Sequence, residues 1–292
     1  MPSAFDRVEQ GLAEQVWNMV LPLQISADPQ ELKAFGPNTA PSPAVFYALC
    51  PRHSYLPLVA ANAKAFFMDL FELSSDPNDS EIWFSYQNEP LKWHFPIGLL
   101  FDMFQAATPS TVPPTPWKIH IHFGGFPADK LIKFPSSGTL FDFFMSSIKE
   151  ADHLRNGSTK KVMALSKADQ LSLWDGLCQN DSQKFWAVNL KLVVIEDGST
   201  PPRAIPMRIY SESKAVLQEP VPCVNRETGA DLTLGDVLNL ASIETFPDPQ
   251  AYQTHVPLVH GTIPKAETPI LWLSQNMSFP DGFLHVVIRS RE

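Results

Sequence analysis

EIWFSYQNEPLKWHFPIGLLFDMF, residues 81–104, holds a hairpin and a helix in one short run. EIWFSY and LKWHF flank the turn QNEP, and Leu91, Trp93 and Phe95 alternate with polar partners as a half-buried strand does. IGLLFDMF reads as a short buried helix. Beyond the linker TPSTVPPTP (108–116), WKIHIHF places Trp117, Ile119, Ile121 and Phe123 on one strand face. Upstream, VLPLQI (20–25) and AVFYALC (44–50) are strand candidates on either side of the excursion ADPQELKAFGPNTAPSP (27–43). Ser54 is placed to cap a helix in which Val59, Ala63, Phe66, Phe67 and Leu70 recur at helical spacing, with Pro57 tolerated in its first turn.

The end of the chain repeats this order with other residues. KLVVI (191–195) and AIPMRIY (204–210) read as strands, TLGDVLNL as a short helix capped at Thr233, HVPLVH as a strand, PILWLSQNM as a short helix and FLHVVIR as a closing strand. Strand, strand, helix, strand, short helix, strand is the order of a β-grasp module, a small curved sheet wrapped around one helix. Between the two copies, LFDFFMSSIKEADHLRN, TKKVMALS, KADQLSLWDGL and DSQKFWAVNL all read as helix, with Ser166 and Asp169 as a capping pair and Gly157 ending the first helix. The expected fold is α+β: a β-grasp domain over residues 10–124, a helix-rich domain over 125–190 and a second β-grasp domain over 191–292.

Composition narrows the function classes. With 22 basic against 31 acidic residues and a net charge of −9, the chain lacks the electrostatic footprint of a nucleic-acid binder. The same charge disfavours direct attraction to anionic lipid. No apolar run reaches the length of a membrane span and MPSAFDRVEQ does not read as a signal peptide, so a cytosolic protein is expected. Cys50, Cys178 and Cys223 are scattered without CxxC spacing, against a zinc cage or a disulfide framework.

Catalytic motifs are thin. His120 and His122 point the same way from one strand and would need a third metal ligand, for which His53 or His94 are the candidates. Cys50 and His53 in CPRHSYL match a nucleophile and base in residue type only. Gly124-Gly125 lacks the helix and third glycine of a pyrophosphate loop. The Trp-rich strands read as core rather than as a stacking platform for single-stranded RNA, given the acidic balance. No cofactor is expected.

Lys149 stands out by position. At about 100° per residue, Leu140, Phe144, Ile148 and Ala151 gather into one apolar stripe, and Lys149 projects about 140° from its middle, toward water. Asp152 and His153 follow three and four places on, near enough to interact with it.

EIWFSYQNEPLKWHFPIGLLFDMF, PWKIHIHF, MSSIKEADHLRNG, LWDGL, FWAVN, IPMRIY, LTLGDVL and TPILWLSQNMSFPDGFLHVVI, together with YALCPRHSYLPLV, resemble the autophagy protein 5 family in one order from about residue 16 to 288. The resemblance implies two ubiquitin-like domains around a helix-rich one. It also implies covalent modification of a lysine by the ubiquitin-like autophagy protein 12, and the lysine of the K-E-A-D block is Lys149. Further implied partners are the N-terminal helix of autophagy protein 16 and the conjugating enzymes of the autophagy systems. The assembled complex would act like a ligase for lipidation of autophagy protein 8 with phosphatidylethanolamine, this chain itself being non-catalytic and peripheral on preautophagosomal membranes. The alternative is an unconjugated β-grasp scaffold for a coiled-coil partner. Asn18 departs from the family, which has glycine after the Val-Trp pair.

Overall fold

The computed structural model describes residues 10–27, 31, 44–71, 77–104, 115–134, 136–193, 202–211, 216–218, 220–225, 227–241 and 255–290. Apart from Glu31, Thr115 and Pro116, the Pro-rich excursions at 28–43 and 108–116 lie outside these residues. The chain divides into two compact units, one from residues 19–101 and 113–143, the other from 1–18, 102–112 and 144–292.

The first unit is built on strands β1 (Val20–Ala27), β2 (Val45–Pro51), β3 (Trp83–Tyr86), β4 (Glu89–Pro90) and β5 (Trp117–His122), in the spatial order β2-β1-β5-β3-β4. β1 and β5 run parallel, with Ile25 opposite Ile119, while β2 and β3 flank them antiparallel. A parallel pair needs a long crossover. Here it contains helix α2 (Leu56–Leu70), which buries Leu56, Val59, Ala63 and Phe67. Phe67 meets Phe123 edge-on at 6.2 Å between ring centroids, joining the helix to the end of β5. Pro57 occupies the first turn as expected, but Ser54 is not the cap. The extended Tyr55 holds that place without a side-chain bond, while Ser54 is itself buried and its carbonyl accepts from Ile97 N at 2.8 Å.

The hairpin's turn begins at Gln87 as QNEP suggests but closes two residues earlier. Gln87 and Asn88 take positive φ of 50° and 66°, the backbone of a tight two-residue turn that matches strand twist. Its second arm is only Glu89–Pro90, so LKWHF is not a strand. After Leu91 N donates to Phe84 O at 2.8 Å, the chain leaves the sheet, and the buried Trp93 donates its indole N–H to Ile132 O at 2.7 Å. Alternation survives there because Leu91 and Trp93 plug the sheet's end. Helix α3 (Ile97–Phe104) follows and buries Ile97, Leu99, Leu100 and Phe101.

The second unit holds β6 (Met207–Ser211), β7 (His255–Leu258) and β8 (Leu284–Ser290) in the order β6-β8-β7, with β6 and β8 parallel and β7 antiparallel to β8. Isolated antiparallel bridges Ile205–Val221 and Ile209–Leu217 line the free side of β6. The second β-grasp thus has the neighbour pattern of the first. Its core gathers Ile205, Met207, Ile209, Leu234, Leu238, Leu273, Val286 and Ile288, with Val16 from helix α1 (Gln10–Trp17) packed among them.

Helices α4 (Ser137–Asn156), α5 (Lys160–Met163), α6 (Lys167–Cys178) and α7 (Ser182–Val193) carry the middle of the chain. Gly157, at φ +71°, ends α4, and a reciprocal Ser166–Asp169 capping box starts α6. KLVVI is not a strand: Lys191–Val193 finish α7, because Phe185, Val188, Asn189 and Leu192 form its buried stripe and carry the helical period through Leu192. Val194 and Ile195 lie outside the described residues. Thr233 caps α8 (Leu234–Ala241) as expected, exchanging bonds with Asp236 at 2.7–3.2 Å. Helix α9 (Ile270–Met277) precedes β8. No helix among the described residues is long and apolar enough to cross a membrane.

Candidate functional site

Helix α4 buries Leu140, Phe144, Ile148 and Ala151, the stripe its spacing dictates. Lys149 stands off that stripe and is half-buried rather than fully open. Met145 and Asp152, four before and three after it, are buried on the same flank, which accounts for the partial cover. Among the described residues the Lys149 amine has neither a hydrogen bond nor an ion pair.

The turn that carries Lys149 is fixed on several sides. Glu150, its neighbour, accepts from Arg208 Nη2 on β6 at 2.9 Å and from Gln218 Nε2 at 2.5 Å. Arg208 also donates through Nε to Gln218 Oε1 at 2.6 Å, and its guanidinium lies 3.7 Å from the Phe283 ring centroid. Ala151 faces Gly282, where an added Cβ would stand 2.8 Å from the Ala151 methyl. Arg155 is buried and donates from Nη2 to Gly282 O at 3.1 Å. Burial draws its pKa down to about 10, against the opposing pull of Asp152 and Cys223, so it stays cationic near neutrality.

Asp152 does not serve Lys149. It is 1% exposed, with one oxygen taken by Asn156 Nδ2 at 2.7 Å and the other by the Val162 amide of α5 at 3.1 Å. Its carboxylate joins α4 to α5, because the first amides of a helix need acceptors. His153 is exposed.

Behind the clamp lies a buried polar chain that sequence spacing did not reveal. Tyr210 Oη donates to His285 Nδ1 at 2.8 Å, His285 Nε2 donates to Asp281 Oδ2 at 2.9 Å, and Phe283 N donates to Asp281 Oδ1 at 3.0 Å. Burial alone would raise the Asp281 pKa; His285, Arg208 and the Phe283 amide outweigh it and hold the carboxyl below the usual range. Burial pushes the Tyr210 phenol well above its usual value. The Asp281-Gly282 pair was the available signal for a turn, but nothing in the sequence ties that turn to Ala151.

The alternative sites take other roles. His122 donates from Nδ1 to Glu31 Oε1 at 2.7 Å, meets Ser85 Oγ through Nε2 at 2.8 Å and stacks on Trp83 at 3.8 Å, so both ring nitrogens are engaged. His120 turns to Ser26 Oγ at 3.0 Å. Among the described residues no three potential ligands converge on a metal position. Cys50 is 4% exposed and burial pushes its pKa up to about 11, which leaves a thiol rather than a nucleophilic thiolate at neutral pH. Burial lowers His53 to about 3, so it stays neutral.

Two β-grasp sheets with a helical region between them in sequence define a protein of the ubiquitin-like class. Three family profiles cover the same ground: the UblA domain of autophagy protein ATG5 matches residues 16–123, its alpha-helical bundle region 139–194 and its UblB domain 204–288. Autophagy protein 5 of Aspergillus fumigatus is 32% identical over 94% of this chain and 93% of its own length. The Drosophila melanogaster protein of that name is 30% identical, over 96% of this chain and 97% of its own. The crystal structure of Kluyveromyces marxianus Atg5 superposes with a TM-score of 0.75 at 21% identity, covering 96% of this chain and 100% of that one, which shows the shared fold. The chain belongs to the autophagy protein 5 family.

Proposed function

We propose that Lys149 is the residue through which this chain accepts autophagy protein 12 in an isopeptide bond. The conjugate, with the N-terminal helix of autophagy protein 16, then acts as a ligase-like complex that promotes lipidation of autophagy protein 8 with phosphatidylethanolamine. In this reading the chain supplies no catalytic group. It works in the cytoplasm, reaches preautophagosomal membranes peripherally through the complex, and is organised as domains 10–124, 125–190 and 191–292, with α7 running on to Val193.

One observation carries the reading: Lys149 lacks a partner among the described residues, while its neighbours Glu150, Ala151, Asp152 and Arg155 are all tied down. A firm backbone with an uncommitted amine limits the motion lost on meeting a thioester. The neutral amine adds to the thioester carbonyl of the charged conjugating enzyme. A C–N bond forms, the C–S bond breaks, sulfur leaves as the enzyme's thiolate and the amine's proton passes to solvent. A free lysine amine is mostly protonated at neutral pH, so docking of the enzyme has to favour its loss.

Lys149→Arg keeps the charge and removes the nucleophile. Incubated with the family's activating and conjugating enzymes and the modifier, wild type should gain one modifier and the variant none, by intact mass. Product of unchanged yield on the variant would overturn the assignment. If the variant still supports lipidation of autophagy protein 8, the unconjugated scaffold is the better account.

A further inference from the structure

We propose that the corner formed by the second half of α4, α5 and the start of α6 docks an acidic face of the conjugating enzyme that carries the thioester. This rests on Lys149 as the acceptor.

Charge bookkeeping along the corner points there. Residues 149–167 contain Lys149, His153, Lys160, Lys161 and Lys167 at or near the surface, in a chain whose net charge is −9. The acids of the corner are each engaged: Glu150, itself exposed, by Arg208 and Gln218, Asp152 by Asn156 and the Val162 amide, and Asp169 in the first turn of α6 by Lys191 and Ser166. Elsewhere Lys64, Lys130, Lys133, Lys184 and Lys191 each lie 2.5–3.6 Å from a carboxylate, and the exposed Lys92, Lys118 and Lys265 are scattered singly along the sequence. Among the described residues, Lys149, Lys160, Lys161 and Lys167 have no such partner. Met163, 65% exposed, sits between them on α5.

The corner is therefore cationic, uncompensated and centred on an apolar tip. Asp152 fixes α5 to α4 one helical turn past Lys149, so α5 borders the approach to that amine. A partner that fits presents carboxylates to Lys160 and Lys161 and an apolar residue to Met163. Rim charges of this kind act on encounter and on its salt dependence more than on the bond-forming step. An anionic membrane would be drawn by the same lysines, and the test separates the two.

Single-turnover transfer from the preformed enzyme–modifier thioester to the full chain is followed while the chain's concentration varies. Lys160→Glu with Lys161→Glu should raise the half-saturating concentration about tenfold and leave the saturated rate within about twofold. Lys160→Gln with Lys161→Gln should give a smaller shift of the same sign, and Lys265→Glu, an exposed lysine elsewhere, none. Raising salt from about 50 to about 300 mM should slow wild type and leave the double Glu variant nearly unchanged. An unchanged half-saturation, an equal shift from Lys265→Glu, or an effect seen only in binding to phosphatidylserine vesicles would overturn the proposal. If Lys149→Arg is inert while the double Glu variant matches wild type, the docking surface fails and the acceptor stands. A fully conjugated Lys149→Arg would instead remove the acceptor assignment.

Discussion

Gly282→Ala tests how tightly the turn below Lys149 is held. Gly282 has φ +88° and a built Cβ would lie 2.8 Å from the Ala151 methyl, closer than carbon atoms pack. Placing an L-residue at that φ costs about 1 kcal/mol, and forcing a methyl into a filled site about 1–3 more. The single variant should lose about 2–4 kcal/mol. Ala151→Gly alone removes one buried methyl, about 0.8 kcal/mol, and puts glycine inside a helix, about 1. If the two methyls collide, the double variant keeps the φ cost and escapes the clash, losing about 3 kcal/mol rather than the sum of the singles. A coupling of about 1–3 kcal/mol is thus expected from urea unfolding of the four proteins followed by far-ultraviolet circular dichroism. Additivity within about 0.5 kcal/mol, or a Gly282→Ala protein as stable as wild type, would show that α4 and the 281–283 turn are not in the contact described.

Two further perturbations follow from buried carboxylates, beside the loss of conjugation expected of Lys149→Arg. The Asp281 pKa is lower folded than unfolded, so its stabilisation is fully present above the unfolded value near 3.9 and is lost as pH falls through the folded one. Wild type should lose stability in acid below about pH 4, and Asp281→Asn should be less stable at pH 7 with a shallower acid slope. An identical slope in both proteins would remove Asp281 from the account. Asp152→Ala leaves the Val162 amide without its acceptor, so a loss of about 1–3 kcal/mol is expected with faster hydrogen exchange at that amide. Exchange as slow as in wild type would mean another acceptor holds α5.

Much of this was legible because the physics is local. Alternation placed β5, helical spacing placed α2 and α4, and Thr233 and Ser166 marked helix starts through a side-chain bond that two sequence positions suffice to make. The misreadings share a cause. LKWHF alternates like a strand because Leu91 and Trp93 are buried, but Trp93's indole finds its acceptor at Ile132, a pairing made across 39 positions. KLVVI is rich in β-branched residues, yet Leu192 continues a buried stripe begun at Phe185, and tertiary packing overrode propensity. Lys149 was visible by its angle on the helix. Its clamp was not, because Arg208 comes from β6 and Gln218 and Gly282 from the segments beside that sheet, whose placement no helical pattern encodes.

The two sheets present the same side to an antiparallel neighbour, and in the second that side holds the acceptor's turn. In the first, β2 pairs with β1 along a continuous register from Val20 opposite Pro51 to Ser26 opposite Val45. In the second, the bridges Ile209–Leu217 and Ile205–Val221 keep one antiparallel register beside β6. Pro220 and Pro222 flank the bonded Val221 at positions whose N–H would point away from β6, so neither interrupts that register. Gln218 lies between the bridges, exposed, and its side chain binds Arg208 and Glu150 at once. The antiparallel register sets Gln218 opposite Arg208, where the pair grips the residue beside Lys149. Without Gln218, Glu150 would keep Arg208 alone, an exposed ion pair of small worth.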